Sequence, residues 1–213
     1  MAATESLFQQ LSASLRERFT KNSPPKLRDF RRLVQAAQSR QEVDTVFQLQ
    51  HEYHKRFRPL DRHTWTVMVE ACLRAGARER IVDVLRRPGE YGWPGLLTSA
   101  ALRKVVPQVS SVEELDRFVE SCREGKVLRA RLTSDVLRRY LQLGDVSRAE
   151  ALVRSCPPET VRPSHFTAVA WALHREQQRD KLEGLVAVMQ AASCAPNVGL
   201  KKLLQANAAV GGG

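Results

Sequence analysis

Two of the five histidines have a spacing that could serve metal binding. His51 and His54 stand three residues apart in HEYHK, so in a helix both imidazoles would face the same side. The spacing differs from that of the HExxH zinc motif, and no further ligand set is evident in the sequence. We therefore interpret the pair as surface residues and predict no metal site.

The cysteines and glycines also lack the patterns that catalysis requires. The four cysteines are separated by 50, 34 and 38 residues, and neither Cys72 nor Cys122 is accompanied by a nucleophile motif or by a base at an informative spacing. Their wide spacing argues against a disulfide-stapled secreted fold and favours a reducing compartment such as the cytosol or the mitochondrial matrix. No glycine-rich phosphate loop occurs. We expect a protein that is not an enzyme and that uses no cofactor and no small-molecule substrate.

Basic residues exceed acidic residues along the chain. The 34 Lys and Arg and the 23 Asp and Glu give a formal charge of +11 over 213 residues, and the arginines are not gathered in one block. Such a charge favours polyanions, acidic protein surfaces and anionic membranes, without choosing among them. No apolar run approaches the roughly 20 residues that cross a bilayer, which predicts no transmembrane segment.

The N-terminal segment has an amphipathic pattern, in which apolar residues recur every four positions with serines and arginines between them. These residues are Leu7, Leu11, Leu15 and Phe19. The pattern is typical of a mitochondrial targeting segment, although Glu5 and Glu17 are unusual in one. A terminal helix packed on the end of the domain has the same pattern, and the sequence leaves both interpretations open.

The helices that would position these residues form a repeating pattern. Apolar positions recur at offsets of 35, 34, 34 and 33 residues, as in the series Leu33, Met68, Leu102, Val136 and Val169. In a parallel series Arg139 is the visible polar exception. Five copies fit, and they begin near residues 27, 62, 96, 130 and 163. Within each copy helical periodicity occurs twice, split by a short polar or glycine-containing link, and prolines follow the second helix in most copies.

This pattern predicts an all-α fold, an α-solenoid of about five stacked helix-turn-helix repeats. One pair of helices cannot bury its apolar stripe alone, so neighbouring pairs must stack. We expect the array over residues 26–197, a cap or targeting segment over 1–25, and a helix end with a flexible tail over 198–213. No alternating apolar pattern with turn dipeptides predicts a strand.

The second copy resembles a pentatricopeptide repeat. The residues that carry the likeness are Thr64, Trp65, Ala71, Ala75, Gly76, Val84, Leu85, Gly92 and Pro94. The fifth copy is similar through Phe166, Thr167, Ala172, Leu185, Met189, Pro196 and Asn197. The likeness covers about residues 27–197, whereas the Trp-Leu-Gly opening of the equally long tetratricopeptide repeat is missing. The resemblance implies a mitochondrial or plastid protein of a kind that commonly binds RNA.

The resemblance also implies where bases would be read, namely by the residue after the aromatic position of the first helix together with the last residue of the repeat. The first positions are Arg31, Thr66, Ala100, Ser134 and Thr167, and their partners are Asp61, Gly95, Arg129, Arg162 and Asn197. Only Thr167 with Asn197 conforms well, and one pair in five cannot specify a useful sequence. The arginines could meet phosphates instead, which adds affinity and salt dependence without sequence choice. We take eight residues as RNA-binding candidates: Arg31, Asp61, Thr66, Arg129, Ser134, Arg162, Thr167 and Asn197.

Two further features bear on nucleic acid. Trp65 and Trp171 could stack on bases, although tryptophans at helical spacing within repeats are also typical of core packing. The Arg-rich stretch 16–32 could contact nucleic acid or form a solvated basic face.

Two functions follow from these observations. The first is a noncatalytic RNA-associated protein of the mitochondrial matrix, either a structural constituent of a mitochondrial ribosome or an RNA maturation factor, which binds single-stranded or ribosomal RNA mainly through phosphates. The second is a protein-binding scaffold, a subunit or assembly factor of a respiratory or ATP synthase complex. The short array and the incomplete base-reading positions favour the role of a constituent.

Overall fold

Every regular element in the described part of the chain is helical. The computed structural model of the protein describes residues 6–92, 99–157 and 160–210, which contain thirteen α-helices and no strand. The helices are α1 (Leu7–Thr20), α2 (Leu27–Ala36), α3 (Arg40–Arg56), α4 (Arg62–Arg74), α5 (Arg78–Arg86), α6 (Pro88–Tyr91), α7 (Ser99–Arg103), α8 (Val112–Glu124), α9 (Ala130–Gln142), α10 (Val146–Ser155), α11 (Pro163–Arg175), α12 (Arg179–Ala191) and α13 (Val198–Val210). The predicted all-α class is confirmed. Pro94, Gly95, Pro158 and the glycine tail at 211–213 lie outside the described residues.

The predicted links fall where helices end. LGD separates α9 from α10, whereas AGARE and EQQR follow α4 and α11 and include the first residues of α5 and α12. The link SRQE at 39–42 overlaps the start of α3. Its Ser39 and Glu42 form a capping box, which fixes the N-terminus of that helix. The Ser39 hydroxyl accepts a hydrogen bond from the Glu42 N–H at 3.2 Å, and the Glu42 carboxylate accepts one from the Ser39 N–H at 3.0 Å. We call α2, α4, α7, α9, α11 and α13 the first helices, and α3, α5, α8, α10 and α12 the second helices.

The same tight turn joins the helices of three pairs. Gly76, Gly144 and Gln177 all adopt left-handed backbone conformations, with φ of 65°, 81° and 59°. In each turn the next N–H donates to a carbonyl five residues back, as from Ala77 to Cys72 at 2.8 Å. These bonds satisfy carbonyls that the end of the helix would otherwise leave unpaired.

The first helix of the third copy departs from the expected pattern. Its described part, Ser99–Arg103, ends at Arg103, and a 3₁₀ turn follows at Val106–Gln108. Pro107 explains the break, because a proline within a helix has no N–H to donate and its ring clashes with the carbonyl four residues earlier, which is that of Arg103.

The chain forms two compact units, of which the first comprises 1–105 with 117–127. In this unit α2 packs against α1 and α4, α4 packs against α7, and α3 contacts α1, α2 and α4. Its largest buried side chains include Phe30, Tyr53, Trp65 and Met68. These aromatic and sulfur side chains fill the space between paired helices, and their burial is the main stabilising term.

The second unit comprises 106–116 with 128–213. Here α11 contacts α9, α10, α12 and α13, and α10 contacts α9 and α12. Val136, Phe166 and Val169 are buried in this core. Arg139 is the polar exception among the repeated positions. Its Nε donates a hydrogen bond at 2.9 Å to the carbonyl oxygen of Val109, which directly follows the 3₁₀ turn.

The repeated apolar series is buried in both units. Its five members, Leu33, Met68, Leu102, Val136 and Val169, are each at most 1% exposed. The offsets found in the sequence therefore mark one structural position, the core-facing side of each first helix.

Candidate nucleic-acid interface

The eight RNA-binding candidates occupy two structural positions. Arg31, Thr66, Ser134 and Thr167 are each the fifth residue of a first helix. Asp61, Arg129 and Arg162 are the N-cap residues of α4, α9 and α11, and Asn197 directly precedes α13. The predicted pairs Arg31–Asp61, Ser134–Arg162 and Thr167–Asn197 therefore each combine the second turn of one first helix with the N-terminus of the next.

Arg31 and Asp61 are joined to each other. The guanidinium Nη2 of Arg31 donates to Asp61 Oδ2 at 3.0 Å, and its Nε donates to Thr64 Oγ1 at 3.1 Å. Partial burial acts to raise the pKa of Asp61, but hydrogen bonds from Thr64 and the charge of Arg31 outweigh it, so the pKa lies below its ordinary value. The charge of Arg31 is thus largely compensated within the protein.

Thr167 and Asn197 are also brought together. The Thr167 hydroxyl lies 2.9 Å from Asn197 Oδ1 and 2.8 Å from the Pro163 carbonyl oxygen. Asn197 Oδ1 accepts the Leu200 N–H at 2.9 Å, which fixes the amide orientation and caps α13. The amide nitrogen of Asn197 is therefore the part of this pair that can donate outward.

Ser134 is paired with His165, whereas the sequence pattern assigned Arg162 as its partner. Ser134 Oγ lies 2.6 Å from His165 Nε2, and the backbone N–H of Arg162 donates to His165 Nδ1 at 3.2 Å. Burial and the nearby charge of Arg162 lower the pKa of His165. Because Nδ1 accepts a hydrogen bond, the neutral ring carries its proton on Nε2 and donates to Ser134.

This tautomer bears on catalysis. The Ser134 hydroxyl donates to the Ala130 carbonyl oxygen at 2.9 Å. A serine nucleophile instead needs a histidine nitrogen that accepts its proton. The Ser134–His165 contact thus has the donor and acceptor roles of a structural hydrogen bond.

The other two candidates differ in their surroundings. The Thr66 hydroxyl donates within its own helix to the Arg62 carbonyl oxygen at 3.1 Å, and its assigned partner Gly95 lies outside the described residues. Arg129 is exposed at the N-terminus of α9, and Arg162 is exposed at the N-terminus of α11. Both are placed where a phosphate would meet a guanidinium and a helix N-terminus together.

Charge in the second unit is concentrated on the first helices. With their N-cap residues, α9, α11 and α13 hold eight basic residues and one acidic residue. The basic residues are Arg129, Arg131, Arg138, Arg139, Arg162, Arg175, Lys201 and Lys202. With their N-cap residues, α10 and α12 hold four basic and four acidic residues. In this unit the layer formed by the first helices α9, α11 and α13 is therefore strongly basic, and the layer formed by α10 and α12 is neutral.

The first unit has the same asymmetry in weaker form. With Lys26 and Asp61 as N-caps, α2, α4 and α7 hold seven basic and three acidic residues. By contrast, α3 and α5 hold six basic and five acidic residues. The remaining second helix, α8, holds two basic and five acidic residues. The signal was present in the sequence, since the repeat boundaries would have allowed charges to be counted separately for first and second helices.

Several of the basic residues in the second unit are available to a ligand. Arg129, Arg131, Arg162, Lys201 and Lys202 are exposed, and in the described residues none of them forms an ion pair with a carboxylate. By contrast, Arg138 lies 3.5 Å from Asp135, and Arg139 bonds to the Val109 carbonyl oxygen.

Trp65 and Trp171, for which the sequence allowed both base stacking and core packing, are in different environments. Trp65 is 1% exposed in the core of the first unit, so it cannot stack on a base. Trp171 is 42% exposed on α11, with the His174 ring against it at 5.9 Å between centroids and 83° between planes.

The histidines and cysteines have structural surroundings. The His54 ring packs against the backbone of Gly92, and His51 lies beside Tyr91 at 6.5 Å between ring centroids. Within the described residues no group of three or more His, Cys, Asp and Glu could hold a metal ion. Burial raises the pKa of the Cys72 thiol to about 12, so the thiolate that nucleophilic chemistry needs is scarcely formed near neutrality. In the same part of the chain no helix is both long enough and apolar enough to span a bilayer.

Comparison with known proteins adds no family. The sequence matches no protein-family model and no curated protein.

Proposed function

We propose that this protein is a noncatalytic RNA-associated protein of the mitochondrial matrix, built as a solenoid of about five pentatricopeptide-like repeats. It binds single-stranded or ribosomal RNA through phosphates and serves as a structural constituent of a mitochondrial ribosome or as an RNA maturation factor. The observation that carries the proposal is the charge of the first helices α9, α11 and α13, eight basic residues against one acidic residue.

A layer with this charge favours a polyanion over other partners. Phosphates along a single strand release condensed counterions when cations replace them, which gives affinity and a steep salt dependence. Anionic membranes offer the same charge, but a helical membrane-surface protein needs an apolar face beside the cations. On α11 the exposed positions Ser164 and Arg175 are polar, and Trp171 is the single large apolar residue among them.

The state of the base-reading positions supports phosphate recognition over sequence recognition. Arg31 is bound by Asp61, and Ser134 is bound by His165. A side chain engaged in this way must break a hydrogen bond before it can read a base edge, which lowers the discrimination between bases. Binding that depends on RNA shape and backbone suits a constituent of a large ribonucleoprotein.

Salt-dependent binding of the full chain to single-stranded RNA tests the proposal. The double variant K201A/K202A removes two exposed cations from α13, and R179A/K181A removes two exposed cations from α12 as a matched control. We expect the α13 variant to reduce the slope of log affinity against log salt by about 1.4, since each single-strand phosphate contact contributes about 0.7. The α12 variant should keep the slope of the natural chain. Equal losses in both variants, or no binding near physiological salt, would contradict the proposal.

Ultraviolet cross-linking in cells separates this function from a protein-binding scaffold. The tagged chain should recover cross-linked mitochondrial RNA after denaturing purification. A scaffold of a respiratory or ATP synthase complex would recover protein subunits whose association survives nuclease, with no cross-linked RNA.

A further inference from the structure

We infer that Trp171 is a stacking platform for one unpaired nucleobase of the RNA bound along α9, α11 and α13. This inference rests on the proposed function and adds a base contact to a surface otherwise assigned to phosphates. Trp171 is 42% exposed, and the other large hydrophobic residues exposed in the described chain are Leu7 and Val198. Stacking a flat apolar partner on an indole this exposed removes apolar surface from water, which makes the free energy of binding more favourable.

The position of Trp171 within the repeat is unusual. Counting back by the repeat offsets, the same position is held by Arg138 in α9, by Lys104 just after α7 and by Glu70 in α4. All three are charged, and Lys104 and Glu70 form an ion pair at 2.6 Å. Core packing therefore does not require an aromatic residue at this position, and the indole at 171 needs another explanation.

The indole is held in place while its exposed part remains open. His174 lies one turn further along α11 and contacts Trp171 edge to face, with 5.9 Å between ring centroids. A ring held by a neighbour loses little conformational entropy when a base stacks on it. Thr167 lies one turn before Trp171 and is tied to Asn197, so the indole is flanked by a fixed polar pair.

The surroundings favour a nucleobase over a protein side chain. Protein interfaces use a contiguous apolar patch of several hundred Å² around an aromatic anchor. Trp171 instead lies on a helix whose other exposed positions include Ser164 and Arg175, next to a helix that carries exposed Lys201 and Lys202. An isolated aromatic ring among cations matches a base and its flanking phosphates.

Binding to paired oligomers tests the inference in the full-length chain. The probes are a short single-stranded oligoadenylate and an abasic ribose-phosphate oligomer of the same length. W171A should bind oligoadenylate about tenfold more weakly, because stacking on an aromatic residue contributes about 1–3 kcal/mol per base. It should bind the abasic oligomer as the natural chain does, with an unchanged salt slope. W171F should retain most of the affinity. V198A, which truncates the exposed apolar residue at the start of α13, is the control and should bind normally.

Fluorescence provides a second measurement that does not depend on how W171A folds. Oligoadenylate should quench indole emission in the natural chain, the abasic oligomer should not, and W171F should lose the quenching.

Each alternative outcome overturns a defined part of the argument. The stacking platform is wrong, and the proposed function stands, if W171A lowers the affinity for both oligomers equally. The same holds if W171A leaves the affinity for oligoadenylate and the quenching unchanged while binding stays salt-dependent. If V198A weakens oligoadenylate binding as much as W171A does, the loss is not specific to the indole and the platform is wrong. If the natural chain binds neither oligomer, the proposed function and the platform fail together.

Discussion

At the scale of single residues, several polar side chains in this protein bond to one another across adjacent first helices. The Asp61 carboxylate accepts the Thr64 N–H at 2.8 Å and pairs with Arg31, and the His165 ring connects α11 to Ser134 of α9. The sequence pairs Arg31 with Asp61 and Thr167 with Asn197, and the structure places each of these pairs within hydrogen-bond distance. It could not predict that Ser134 selects His165 over Arg162, because that choice depends on side-chain rotamers within one turn.

His165 should make the stability of the protein depend on pH. Its pKa is lowered in the folded state, so the unfolded chain binds the proton more readily. The stability it contributes is complete above its ordinary value of 6.5 and is lost as the pH falls from there through the folded pKa. H165Q, whose amide can both accept and donate, should flatten this part of the curve of unfolding free energy against pH. Urea denaturation across the range measures it, and an unchanged curve would show that His165 is not the titrating group.

Asp61 should stabilise the first unit as a helix cap more than as an ion pair. D61A removes both the cap of α4 and the partner of Arg31, and an N-cap contributes about 0.5–2 kcal/mol. D61N keeps a capping oxygen and loses only a partly exposed ion pair, which contributes less than about 1 kcal/mol. We expect D61A to lower the unfolding free energy clearly more than D61N in chemical denaturation. Equal losses would make the charge the dominant contribution.

At the scale of elements, most helix boundaries follow from local signals that the sequence displays. Glycine, serine and aspartate mark the turns and caps, and the apolar offsets mark the buried faces. In the third copy, the first helix ends early because of Pro107. This proline is visible in the sequence, but the 34-residue period alone predicts a helix that continues past Arg103. The sequence also gives no prediction of the short helix α6, because its four residues, PGEY, are too few to show a helical period.

The recurrent left-handed turn predicts opposite effects at two equivalent positions. G76A should lower the unfolding free energy by about 1–2 kcal/mol, because an L-residue is strained in the left-handed conformation. A Cβ at Gly76 would meet nothing within 4 Å, so the loss would come from the backbone alone. Q177G should raise stability by about 0.5–1 kcal/mol, since Gln177 already carries that strain and glycine offsets part of the gain through its entropy. Thermal unfolding of both variants measures the pair, and a stabilising G76A would contradict the shared turn geometry.

At the scale of the whole molecule, the excess positive charge belongs to one class of helix. Along the sequence the arginines look evenly distributed, because first and second helices alternate about every 17 residues and the separation averages out. The composition therefore indicated a basic protein without indicating a basic surface. The sequence also could not show which cations are available to a ligand. Arg31 and Arg129 have the same side chain, and only the structure shows the carboxylate of Asp61 beside Arg31.

This distribution predicts how RNA should change the stability of the whole chain. A ligand that binds only the folded state adds free energy by mass action, about 2.7 kcal/mol at a ligand concentration one hundred times Kd. Single-stranded RNA should therefore raise the melting temperature at low salt, and the shift should vanish at high salt because the contacts are with phosphates. K201A/K202A should show a smaller shift than R179A/K181A, although both variants lose the same formal charge. Differential scanning fluorimetry measures all three proteins. Equal shifts in the two variants would mean that RNA responds to net charge alone, and the concentration of charge on α9, α11 and α13 would then have no part in binding.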